Sequence, residues 1–303
     1  MPSSRWHDLG KGTYALTGGS NIGVIAHDGK ALMIDAGLDP DGAREALRRI
    51  DALDLELAGV VITHGHADHF GGAGWVAERT GAWVSAPSLE GAFAEHPLLE
   101  PLFLYGGADP IEELRGKFTL AKQGTGSCRQ LVPGPWRADG ITVEVIPLPG
   151  HAINQIGIAY PDEGGTLYCG DVVFPADTLE RHPILFCADL DAWLDTLSWL
   201  PDLVYEHFVA GHGEPLTDIG PAAAATAERL HQIRDAVLDA VAEALEPYDV
   251  LRAVASAFGV SFTAPQFFLL SLTTILAALT SLQRAGEAEI VMSGNRLLWQ
   301  ARH

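Results

Sequence analysis

The chain has 303 residues, 48% of them hydrophobic, which is enough to bury a sizeable core. Its 19 basic and 39 acidic residues leave a formal charge of -20, which favours solubility, repels polyanions and weighs against nucleic acid as a partner. Cys128, Cys169 and Cys187 stand far apart with no Cys-x-x-Cys pair, and Met1 to Trp6 lacks the apolar run of a signal peptide, so a cytoplasmic setting is expected.

Thr13 to Leu16, Ile22 to Ala26 and Ala31 to Ile34 read as short strands, the last two joined by the turn His27-Asp28-Gly29-Lys30. Pro40 to Ile50 has the spacing of an amphipathic helix, and Leu57 to Ile62 that of a buried strand running out at Thr63. His64-Gly65-His66-Ala67-Asp68-His69 follows. Three imidazoles and a carboxylate so close together are costly in a packed core unless each polar group finds a partner, and a bound cation supplies one. In extended backbone His64 and His66 share a side, whereas a helical turn after Ala67 sends Asp68 and His69 elsewhere. That geometry suggests two metal positions.

Gly74 to Arg79 continues as a helix and Ala82 to Ala86 as a strand. From Pro87 to Pro135 the pattern is irregular, with an apolar cluster from Phe93 to Tyr105; a lid, a subunit contact and an insertion packed on its own domain all fit it. Ile141 to Ile146 is a strand leading to Gly150-His151. Ile156 to Tyr160 and Thr166 to Cys169 flank the turn Pro161-Asp162-Glu163-Gly164-Gly165, and the second leads to Gly170-Asp171. Cys169 reads as a small buried hydrophobe. The loop beyond Asp171 makes His182 a candidate for contacting substrate. Asp189 to Leu200 reads as a helix capped by Asp189, and His207 to Ala210 as a strand ending in Gly211-His212. In the last three motifs a strand ends in a glycine and a ligand-type residue, the glycine permitting a tight turn and close approach. A lone histidine at a strand end is ordinarily a satisfied core or surface residue, so the inference rests on the motifs together. His7, His27, His96, His207, His231 and His303 read as ordinary solvated residues.

Composition shifts at Pro221. Ala222 to Leu245, Asp249 to Phe258 and Ala264 to Arg284 read as helices, and Glu287 to Met292 with Arg296 to Gln300 as a hairpin. Phe267 to Leu282 is almost free of charge, yet its 16 residues fall short of the ~20 needed to cross a bilayer. A buried helix is expected there, and no membrane partner.

The motifs His64 to His69, Pro149-Gly150-His151, Gly170-Asp171 and Gly211-His212, in this order, resemble the metallo-β-lactamase superfamily over roughly Trp6 to Pro215. The resemblance implies an α/β fold, an αββα sandwich of two mixed sheets with helices outside. Residues 1–220 would form this catalytic domain, and residues 221–303 resemble a small, mostly helical winged-helix module. It also implies that His64, His66 and His151 hold one metal and Asp68, His69 and His212 a second, with Asp171 bridging. Asp35 would either support the site from beneath or simply form a turn.

Two divalent cations are expected as cofactors, zinc foremost, with iron and manganese suited to the same ligand types. The expected activity is hydrolysis of a small-molecule ester, thioester or lactone by a metal-bridging hydroxide, with Asp68 as the catalytic residue that orients it. Phosphodiester cleavage and oxygenase chemistry at a single iron, as in persulfide dioxygenases, are the rivals. The glyoxalase II type fits less closely: Gly211-His212-Gly213-Glu214 stands where Gly-His-Glu-Tyr is usual, and no basic glutathione-binding segment is evident near the carboxy terminus. Ala152-Ile153-Asn154-Gln155 also lacks a second histidine soon after His151. Phe267 to Leu276 has none of the basic side chains of a DNA-reading helix, so the module is read as a platform for the catalytic domain or for a second subunit in a homodimer.

Overall fold

The computed structural model describes residues 5–161 and 164–302; Asp162 and Glu163 of the expected turn, and His303, lie outside them. Strands β1 (Arg5–Gly10), β2 (Thr13–Thr17), β3 (Ile22–His27) and β4 (Lys30–Ile34) form an antiparallel meander. Asp28 (φ 46°) and Gly29 (φ 76°) take left-handed backbone between β3 and β4, the turn whose twist suits adjacent strands. No strand is expected at β1, because its residues are exposed or half-buried throughout and no apolar alternation marks it.

Helix α1 (Pro40–Ala52) starts at Asp39, whose side chain accepts from the Asp41 amide, and buries Ala43, Ala46, Leu47 and Ile50. Then come β5 (Glu56–Val61), the single turn α2 (Ala67–Phe70), α3 (Ala73–Thr80), β6 (Trp83–Pro87), α4 (Ser88–Glu95), α5 (Leu99–Leu104) and β7 (Arg129–Leu131). Strands β4 to β7 run parallel and complete a seven-stranded sheet in sequence order.

The second sheet takes β8 (Gly134–Ala138), β9 (Ile141–Pro147), β10 (Ile156–Tyr160) and β11 (Thr166–Gly170); α6 (Ala176–Arg181) and α7 (Leu190–Trp199) then lead to β12 (His207–Ala210). Its order is β12-β11-β10-β9-β8, parallel only between β11 and β12. The chain ends with α8 (Gly220–Ala240), α9 (Pro247–Ala257), α10 (Pro265–Arg284) and the hairpin β13 (Ala288–Ser293) and β14 (Arg296–Ala301).

Strand alternation sorts the side chains into layers. On β4, Ala31 and Met33 pack with α1 and α3, while Leu32 and Ile34 face the second sheet and meet Val143, Val145, Ile158 and Tyr168. On β11, Leu167 and Cys169 turn outward to Trp193 of α7 and to Val237, Val250 and Leu279 of the carboxy-terminal helices. The result is helices, sheet, sheet, helices, as expected of the αββα class.

Helix α10 departs from its expectation. At 20 residues it is long and apolar enough to cross a membrane by length and composition, and 44% of its most apolar window is buried against the protein. Ile275, Ala278, Leu279 and Leu282 are buried as anticipated, whereas Phe267 is 45% exposed. The amino-terminal turns of the helix stand at the edge of a cleft, and that position explains their exposure.

Candidate metal centre

The four chain segments that carry the motifs all leave the sandwich at one edge. His64 to His69 follow β5, His151 follows β9, Asp171 follows β11 and His212 follows β12. Glycine makes the convergence possible: a Cβ on Gly211 would lie 2.0 Å from Asp171 Oδ1 and 2.5 Å from His69 Cε1. Gly150, at φ 133°, passes against the Trp193 backbone, where a Cβ would approach Cα to 2.3 Å.

Ligand-type atoms fall into three groups whose members all lie within 4.8 Å of one another: His64, His66 and His151; Asp68, His69 and His212; and His64, His69 and Asp171. His66 Nδ1 and His151 Nε2 are 2.9 Å apart. Asp171 stands between the first two groups, Oδ2 being 3.5 Å from His151 Nε2 and 3.3 Å from His212 Nε2, and Oδ1 3.3 Å from His69 Nε2.

The outward ring nitrogens are engaged, which decides what faces inward. His151 Nδ1 donates to the Phe186 carbonyl (3.1 Å) and His212 Nδ1 to the Gly19 carbonyl (2.8 Å). A carbonyl can only accept, so both rings carry their hydrogen on Nδ1 and turn Nε2 to the centre, where a cation would bind once any proton on Nε2 has left. His69 Nδ1 donates to Asp35 Oδ2 at 2.8 Å, and the same carboxylate accepts from the Thr63 amide and hydroxyl, each at 2.8 Å. Asp35 thus supports the site from beneath, with a left-handed backbone at φ 58° just past the end of β4.

Among the described residues six buried side-chain polar atoms lack a hydrogen bond, and His64 Nε2, His69 Nε2 and Asp171 Oδ1 are three of them. Leaving such atoms unpaired costs about 1–3 kcal/mol each, so their concentration at one point fits a cation-binding donor set. The residues present therefore suit divalent metal.

Charge follows the same division. Burial, reinforced by neighbouring imidazoles, holds His64 well below its usual range and lowers His66 to about 3 and His151 to about 4, so all three are neutral at pH 7. At His69 and His212 burial opposes the proton, but Asp171 and Asp68 outweigh it; His69 lies well above its usual range and His212 rises to about 10. Burial disfavours charge on Asp68 and Asp171 as well, and the His69 and His212 rings overcome it and keep both carboxylates ionised. Without a cation, the His69 and His212 imidazolium rings offset the Asp68 and Asp171 carboxylates, and Asp35 beneath His69 adds a further negative charge.

Two acids outside the motifs hold the histidine loop. Glu90 of α4, almost fully buried, accepts from the Gly65 amide (2.8 Å) and, through its other oxygen, from the Asn154 amide (2.8 Å), linking the loops that carry His66 and His151. Glu100 of α5 accepts from the Ala67 amide at 3.0 Å. Part of the irregular 87–135 region thus supports the site. Isolated carboxylates inside the apolar stretches Ser88–Glu95 and Leu99–Leu104 were the available signal. Ser20 donates to Asp68 Oδ2 at 2.9 Å. Cys169 points away into the outer core, and burial keeps its thiol protonated.

The centre opens into a cleft of about 1220 Å³, lined by His66, Asp68, His151, Asp171 and His212 together with His182 at the rim and residues of α6, α10 and the segment before α10.

Curated relatives and solved structures bear on this geometry. A hydroxyacylglutathione hydrolase of Albidiferax ferrireducens is 30% identical over 183 residues, 59% of this chain and 57% of that protein. One from Aeromonas hydrophila is 31% identical over 192 residues, 61% of this chain and 59% of its own. The matches thus span less than two thirds of either relative. A metallo-beta-lactamase family protein from Thermus thermophilus shares the fold across 97% of this chain and 100% of its own, with a TM-score of 0.74 at 21% identity. A beta-lactamase domain protein from Burkholderia ambifaria does so across 98% and 93%, with a TM-score of 0.70 at 19% identity. The family model of the metallo-beta-lactamase superfamily matches residues 15–212, a stretch that contains all seven candidate ligands and ends on the last of them. With its two sheets, its motif order and its converging donor atoms, this chain belongs to the metallo-beta-lactamase superfamily.

Proposed function

We propose that this protein is a metal-dependent hydrolase of a small-molecule thioester, ester or lactone, working with two divalent cations. The observation that carries the reading is the pair of three-residue donor groups joined through Asp171. His64, His66 and His151 would hold one ion, Asp68, His69 and His212 the other, and Asp171 would contact both. A bound pair of divalent cations, zinc being our expectation, supplies Lewis acidity towards a carbonyl and lowers the pKa of water to about 7.

The chain's own groups do the rest. Asp68, fixed by Ser20 and His212, offers a carboxylate oxygen to the hydrogen of an attacking water and so orients it. Phe174 and Phe186 flank the His151 ring at 5.7 and 5.6 Å and exclude bulk water on that side. His182 at the rim is our candidate for contact with the departing group. The hydroxyacylglutathione hydrolases among the relatives are named for cleavage of a thioester, which supports this reaction class. Phosphodiester cleavage is disfavoured by the lining, where Arg181 is the sole lysine or arginine among the described residues beside Asp177, Glu180 and Glu214. We further propose that residues 1–220 form the metal-bearing unit and residues 221–303 a module packed on it.

Elemental analysis of protein purified without added metal, followed by thioester, ester and lactone assays, tests the proposal. About two zinc or manganese ions per chain and turnover of one of these classes are expected. A single iron with oxygen consumption on thiol or persulfide substrates would overturn it.

A further inference from the structure

The cleft extends well beyond the donor atoms. Its volume of about 1220 Å³ exceeds the ~300–1,000 Å³ usual for small-ligand sites, leaving room for a substantial group attached to the reacting carbonyl. Part of that room is walled by the carboxy-terminal part of the chain: Phe258, Val260 and Phe262 between α9 and α10, and Phe267 and Leu270 on α10. Phe118 and the apolar residues Ile184, Leu185 and Phe186 line the same cleft.

The wall is tied in place. Phe262 packs edge-on to Phe268 at 5.5 Å, and Thr274 of α10 donates to the Leu185 carbonyl at 2.6 Å while accepting from the Cys187 amide at 3.1 Å. Arg229 of α8 donates to the Leu179 and Pro183 carbonyls, fastening the loop that carries His182 to the same helices.

Its charge is equally one-sided. Arg181 is tied to Asp177 at 2.9 Å and Glu214 to Arg5 at 3.6 Å, so no free lysine or arginine lines the mouth among the described residues, and Glu180 adds negative charge there. Away from the donor cluster a carboxylate- or phosphate-bearing group would meet this charge and no free guanidinium fork.

We propose that the segment from Phe258 to Leu270 is a binding subsite for an uncharged alkyl or acyl chain, and that the acidic mouth disfavours anionic carriers such as glutathione. The inference rests on the hydrolase reading and names the substrate class for that site. That these apolar residues and the donor cluster line one and the same cleft selects this occupant.

The test compares kcat/KM of the metal-containing protein on acetyl, butyryl, hexanoyl and octanoyl thioesters of the neutral thiol N-acetylcysteamine, and on octanoylglutathione. Each added methylene should raise kcat/KM by about two- to fourfold. The neutral octanoyl thioester should exceed octanoylglutathione by about tenfold or more, a gap that narrows at high salt as repulsion is screened. Phe267→Ala, at an exposed position where folding is not at stake, should cut the octanoyl-to-acetyl ratio by about tenfold, whereas Leu276→Ala, on α10 but outside the cleft, should leave it unchanged.

Turnover without chain-length preference, or preference for octanoylglutathione, overturns the subsite and leaves the hydrolase reading standing. If neither these thioesters nor the matching esters and lactones are cleaved the hydrolase reading fails, and calorimetry with 1-octanol and 1-butanol then decides the subsite alone. Tighter binding of octanol that Phe267→Ala weakens supports it, and equal binding of the two alcohols overturns it. A dimer in light scattering that Phe267→Ala dissociates would make the wall a subunit contact and overturn it too.

Discussion

At the floor of the cleft the inward-facing rings of His69, His151 and His212 are each aimed from behind by a hydrogen bond, to Asp35, Phe186 and Gly19. On the carboxy-terminal wall Phe262, Phe267 and Leu270 present carbon surface with no polar atom to aim, and hydrogen bonds tie α10 to the loop before α7. The floor needs direction because a cation's ligands must converge on a point; the wall needs only area, because apolar contact has none. The contrast assigns chemistry to strand ends and selectivity to the helices added after them, and changes on the floor should therefore cost more than changes on the wall.

The largest effect is expected at Asp68. Replacement by alanine should lower kcat by about 10²- to 10⁴-fold and weaken binding of the second cation; full activity with intact metal content would show that Asp68 has no part in the reaction.

Asp35→Asn isolates the support beneath the floor, since asparagine tolerates the left-handed backbone at φ 58° but brings no charge to His69. Metal affinity should fall about 10- to 100-fold in chelator competition. An unchanged affinity would mean that His69 is positioned without it.

A pH series probes the floor without mutation. In the cation-free protein His69 and His212 carry protons, the latter up to about pH 10, and a cation at their Nε2 atoms must expel them. Affinity should therefore rise with pH, by about tenfold per unit for each proton displaced, and fall in acid. His66 and His151, neutral above about 3 and 4, add no slope near pH 7. A flat or inverted profile would contradict this charge assignment.

Glu90→Gln should have the smallest effect. An amide NH₂ turned towards one of the two backbone donors loses a hydrogen bond that links the loops, costing about 1–3 kcal/mol, seen as a lower melting temperature with the metal stoichiometry retained. Loss of metal instead would move Glu90 into the group that aims the ligands.

The sequence by itself determined where the floor would be. Side-chain alternation gave the two faces of β4, and the run-out of apolar strands into glycine and histidine marked the four segments that meet, because both signals are local and repeat at short spacing. Only the tertiary structure decided the rest. That the two unexplained acids Glu90 and Glu100 hold backbone amides of the His64 to His69 loop depends on where α4 and α5 pack. That part of an apolar helix read as buried instead faces a cleft depends on what else lines it, and Phe118 and Phe267, which share that cleft, are separated by about half the chain. Apolar residues look the same in sequence whether they fill a core or line a site; the surface they meet in the folded chain separates the two.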